Sequence, residues 1–118
     1  QQDATGQKLQ LEAKAERLLW LQRYRVQQVA LDIDNARSAL DRAKERIEAA
    51  AQSLSYARSL VKGERKRFQM GATNLLFVNL RERNVVEAEI TYIQAQAEFQ
   101  QARAFYSWAV GNWTQPVI

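Results

Sequence analysis

Neither histidine nor cysteine occurs anywhere in the 118 residues. Their absence removes the commonest general base, the commonest nucleophile and base pair, and the usual ligands of zinc, haem and iron–sulfur clusters. No catalytic residue, cofactor or metal is therefore expected. One proline and four glycines are too few breaks for a compact fold of many elements. No run of about 18 apolar residues is present, so no membrane-spanning helix is expected. The opening QQDATGQ has neither the basic region nor the apolar core of an export signal. The chain is read as a fragment of a longer protein whose export signal lies elsewhere, in preference to a free-standing soluble protein.

What is abundant is Ala, Leu, Gln, Glu and Arg, the mix of coiled coils and extended helical bundles. The fold class expected is all-α, a long antiparallel coiled-coil hairpin. The net charge of +4 raises the question of nucleic acid. Yet Lys62, Arg65, Lys66 and Arg67 are interrupted by Glu64, and basic and acidic residues alternate elsewhere. The patch is read as a solvated face, with no nucleic-acid partner.

From about residue 9 to 68 only Gly63 interrupts a helical pattern. A heptad series runs through it: Val26, Val29, Ile33, Ala36, Leu40, Ala43, Ile47, Ala50, Leu54, Ala57 and Val61. Large residues hold one position and, from Ala36 onward, alanine holds the other. Small side chains there predict a close approach of the partner helix. The segment Gln69, Met70, Gly71, Ala72, Thr73 and Asn74 predicts a turn: the glycine can take a left-handed C-terminal position, and Thr73 or Asn74 can cap the next helix. A second helix is expected over about 75–110, closed by Gly111, with a tail over 111–118.

The second helix carries two apolar stripes on nearly opposite sides. One is Val85, Ala88, Tyr92, Ala95, Phe99, Ala102, Tyr106 and Ala109, expected to face the first helix. The other is Val86, Ile90, Ile93, Ala97, Ala104 and Trp108. Polar strips separate them, Glu87, Thr91, Gln94, Glu98 and Gln101 on one side and Glu89, Gln96, Gln100, Arg103 and Ser107 on the other. A simple hairpin needs one stripe, whereas a helix in a curved wall needs two, with water on the faces between. Leu31, Ser38, Ala49, Tyr56 and Leu60 form a weaker second flank on the first helix.

The stretch from Glu64 to Gly111 resembles the second repeat of TolC-family outer-membrane efflux proteins. The resemblance rests on Phe68, Met70 and Gly71 at the end of a long helix. It continues in the apolar Leu75, Leu76, Phe77 and Val78, then Asn79, Arg81 and Glu82, and the alanines Ala88, Ala95 and Ala102. It implies a homotrimer in which each protomer contributes such hairpins to a periplasmic α-barrel below an outer-membrane β-barrel whose strands are absent here. It also implies a Gram-negative periplasm, and a tip from Phe68 to Asn74 that docks a periplasmic adaptor serving an inner-membrane transporter. Some relatives close the tunnel with charged residues early in the second helix; Phe77 and Leu80 stand near those positions, so no charged gate is expected. The alternatives are the hairpin of an adaptor, without its flanking strands, and a cytosolic coiled-coil scaffold. An enzyme using Glu87 and Glu98 is disfavoured because three helical turns separate them, beyond the reach of an acid–base pair.

Overall fold

The computed structural model describes residues 2–114, which form two helices and one turn. Helix α1 spans Gln2–Gln69 and helix α2 spans Leu75–Thr114. They make an antiparallel hairpin 104 Å long and 20 by 14 Å across. At ~1.5 Å per residue α1 alone accounts for that length, while α2 covers only about 60 Å of it.

The register is visible in three ion pairs across the seam, Arg65–Glu82 at 3.1 Å, Arg58–Glu89 at 3.4 Å and Arg46–Glu98 at 3.1 Å. Extended to the end of α2, it brings Thr114 opposite α1 near residue 30. Burial follows this boundary: every residue from 7 to 28 is exposed, and Val29 is the first half-buried side chain of the seam. Val26, expected in the seam, is exposed because α2 ends before reaching it. Residues 7–28 of α1 thus have no helix facing them among the described residues.

Between residues 29 and 61 the heptad seam packs as the spacing predicts. Ala36, Ala43, Ala50, Leu54 and Val61 are buried, with Ala36 at 0 % and Ala43 at 1 % exposure. Ile33, Leu40, Ile47 and Ala57 are half-buried, as are Val85, Ala88, Tyr92, Phe99 and Ala102 on α2, where Ala95 and Ala109 are buried. Ala36 and Ala43 are the most enclosed residues of the seam, as expected for small side chains between closely packed helices. No large side chain among the described residues is fully enclosed, since two helices offer no third surface.

Both outer boundaries differ from the sequence expectation. Helix α1 starts at Gln2 instead of near residue 9, running through Gly6, with Asp3 in the first turn opposing the positive end of the helix dipole. Helix α2 passes through Gly111 to Thr114; of the expected tail, residues 115–118 lie outside the described residues. A glycine costs about 1 kcal/mol relative to alanine inside a helix but stops it only when it adopts the left-handed conformation. Among the described residues only Gly71 does so, at φ 74°.

Candidate interaction surfaces

The turn is built from backbone geometry. The Ala72 N–H donates to the Arg67 carbonyl at 2.8 Å and the Gly71 N–H to the Phe68 carbonyl at 3.0 Å. This pair of bonds around a left-handed glycine is a Schellman closure, which satisfies carbonyls that the end of α1 would otherwise leave open. On the other side, Asn74, and not Thr73, caps α2: its side-chain oxygen accepts the Phe77 N–H at 3.2 Å. A Cβ added at Gly71 would meet no atom within 4 Å, so glycine is needed there for its backbone angle alone. Gly71→Ala is accordingly expected to destabilise the hairpin by about 1–2 kcal/mol, and Gly71→Asn by less, because asparagine visits this region more readily. Guanidinium unfolding of both variants checks this; equal stability of Gly71→Ala and the parent would show that the turn relaxes to another form.

The turn bears a cluster of apolar side chains. Phe68, Met70, Leu75, Leu76, Phe77 and Leu80 are exposed, and Val78 alone of this group turns inward and is buried. Phe68 and Met70 therefore do not fill the hairpin's own core. Just behind the tip the seam takes an unexpected residue: Glu64 continues the heptad position of Ala50 and Ala57, and its carboxylate is buried, 3.5 Å from the Arg67 guanidinium. Charge conceals this continuation from a reading based on apolar periodicity.

Along the hairpin the second stripe of α2 is uncovered. Val86, Ile90, Ile93, Ala97, Ala104 and Trp108 are all exposed, Phe105 stacks on Trp108 with ring centroids 5.8 Å apart, and Phe105 is exposed as well. On α1, Leu31, Ser38, Ala49 and Tyr56 are exposed and Leu60 is half-buried. The ion pairs lie on the two faces between these flanks. Arg58 and Arg65 are one heptad apart and share a face with Glu82 and Glu89, whereas Arg46 sits ~120° round the helix from Arg58 and meets Glu98 on the other. Apolar flanks thus alternate with polar faces around the rod.

The whole chain exposes 9950 Å². A compact monomer of 13.6 kDa would expose roughly 6,600 Å². The excess exceeds the ~800 Å² that each partner contributes to an ordinary stable interface. No group of His, Cys, Asp and Glu among the described residues is arranged to hold a metal ion, and no helix among them is long and apolar enough to cross a membrane. Comparison of the chain with protein-family models, with curated proteins and with solved structures gives no match. The surfaces of the chain are therefore the guide to its role.

Proposed function

We propose that this hairpin is a wall segment of the periplasmic tunnel of a trimeric, TolC-like outer-membrane efflux or type I secretion channel in a Gram-negative bacterium. Its turn would dock a periplasmic adaptor that couples the channel to an inner-membrane transporter. The observation that carries this reading is the uncovered apolar flank of α2, set opposite a tight alanine seam with polar faces between. A curved helical wall uses that cross-section: neighbours on two flanks, water on the lumenal and outer faces. The resemblance of Phe68, Met70, Gly71 and the Leu75–Val78 patch to the family's turn gives the wall its orientation, with the turn toward the inner membrane. The role is passive, with transport steps carried by the partners, and no residue here is assigned to chemistry.

Because the sequence has no cysteine, an introduced thiol is the single one within this segment. In the full-length channel in cells, Ile93→Cys and Ala97→Cys are expected to resist a membrane-impermeant maleimide. Gln94→Cys and Gln96→Cys, on the two polar faces, are expected to react at least tenfold faster. Equal labelling of Ile93→Cys and Gln96→Cys would mean that the α2 flank faces water, and the wall assignment would be lost.

A further inference from the structure

The charge of the chain is not evenly spread. Residues 62–83 contain six basic residues, Lys62, Arg65, Lys66, Arg67, Arg81 and Arg83, against Glu64 and Glu82, a net charge of +4. That equals the net charge of the entire chain, so the other residues sum to zero. Both carboxylates of this stretch are already engaged, Glu82 by Arg65 at 3.1 Å and Glu64 by Arg67 at 3.5 Å. Lys62, Lys66, Arg81 and Arg83 have no ion-pair partner among the described residues. Of these, Arg81 is half-buried and the other three are exposed.

The four cations do little for the hairpin itself. Lys62 and Lys66 stand four residues apart on one face of α1, a spacing at which like charges oppose the helix. The dipole of α1 offsets this for Lys66, which lies in the last turn. It offers nothing to Arg81 and Arg83, which lie toward the positive end of α2, a helix with no acidic residue in its first turn. An uncompensated basic collar thus surrounds the end of the rod that carries the exposed apolar cluster.

From this juxtaposition we infer that the protein docked by the turn is acidic at its contact end: a helix or helical hairpin with apolar residues at its apex and carboxylates along the turns behind. The inference rests on the docking role proposed above and gives the adaptor's face its chemistry. Docking on Phe68, Met70 and Leu76 removes water from the apolar cluster and sets the partner's side chains beside the collar. A basic face is repelled there, and a neutral one leaves four cations unanswered. At ~1.5 Å per residue, Lys66 and Lys62 lie ~6 and ~12 Å behind Met70, and Arg81 and Arg83 lie ~8 and ~11 Å behind Leu76. Engaging Lys62 therefore requires the partner to run alongside the last turns of the hairpin as well as meet its apex. The ~6 Å rise between the two lysines is also the rise between carboxylates four residues apart on a neighbouring helix, so an Asp or Glu pair at that spacing matches them.

In the test, a photoreactive phenylalanine replaces Met70 in the full-length channel in its own cells, and the segment that it cross-links is sequenced. That segment is expected to belong to a periplasmic protein and to carry an excess of Asp and Glu within about two helical turns of the linked residue. Lys62→Glu with Lys66→Glu should lower cross-linking at least tenfold, because an exposed pair of opposite charge contributes up to about fivefold and reversal adds repulsion. Lys62→Gln with Lys66→Gln should fall between this variant and the parent, and Lys62→Arg with Lys66→Arg should stay within about twofold of the parent, since the charge is kept. Changing the partner's facing carboxylates to lysine should restore cross-linking to the charge-reversed channel, an exchange that could not repair a damaged turn. A linked segment that is neutral or basic overturns the inference and leaves the docking role standing. So does a charge-reversed channel that cross-links like the parent, or one that the exchange on the partner fails to restore. A parent channel that cross-links to lipid alone, or to no protein, overturns the docking role and this inference together.

Discussion

Ala43→Leu should destabilise the hairpin by about 1–3 kcal/mol, the usual cost of forcing extra methylenes into a packed site. Ala43 is 1 % exposed and stands between the buried Ala36 and Ala50 in the alanine row of the seam. A leucine there can be accommodated only by prising the helices apart, and that loosens Leu40, Ile47 and the facing Phe99 and Ala102 together. Ala49→Leu is the control, because Ala49 is exposed on the outer flank of the same helix. It should lie within about 0.5 kcal/mol of the parent chain. Guanidinium unfolding followed by circular dichroism measures both, provided the slope of the transition is unchanged. If Ala43→Leu and Ala49→Leu were equally stable, the seam would not be tight, and the alanine row would owe nothing to close packing.

The second large effect concerns association. Ile90 and Ile93 are 51 % and 63 % exposed, so neither holds the hairpin together, and Ile90→Glu with Ile93→Glu should leave helicity and unfolding midpoint nearly unchanged. In contrast, the parent chain is expected to associate with rising concentration, because its exposed area exceeds that of a compact monomer so widely. Burying the remaining half of each isoleucine is worth about 1 kcal/mol per residue, and the two carboxylates oppose burial further. Self-association should weaken by at least thirtyfold, the equivalent of ~2 kcal/mol. Sedimentation over a concentration series reads this directly. A double variant that associates like the parent would shift the contact to the exposed stretch of α1 from Leu9 to Val26 and remove the physical basis for a wall.

Much of this architecture was legible because it depends on spacing. The alternation of large residues with alanine from Ile33 to Ala57 predicts which side chains face the partner. Gly71 announces a left-handed closure and Thr73 or Asn74 a cap, and Gly71 and Asn74 are found in those roles. The misreadings share a cause: residue type does not fix residue conformation. Gly111 has the freedom to end a helix but stays within α2, next to buried Ala109. Glu64 occupies a seam position, but apolar periodicity cannot register a carboxylate that is buried beside its own arginine. The lone stretch of α1 was implicit in the unequal helix lengths, since a shorter partner cannot cover Val26.

The five-residue turn also dictates an order of assembly. Residues joined by ion pairs across the seam are 17 apart in sequence for Arg65 and Glu82, 31 for Arg58 and Glu89, and 52 for Arg46 and Glu98. Loop closure costs more entropy as the loop lengthens, so the hairpin closes first beside the turn and zips toward its free ends, each closed pair shortening the effective loop for the next. The same gradient runs backwards in the native state. Opening near the turn requires undoing everything beyond it, whereas the free ends can separate alone. Amide hydrogens should therefore exchange slowest around Leu54 to Val61 and progressively faster along the seam. The exposed stretch of α1 from residue 7 to 28 should exchange at nearly the rate of an isolated helix, until a neighbouring surface covers it.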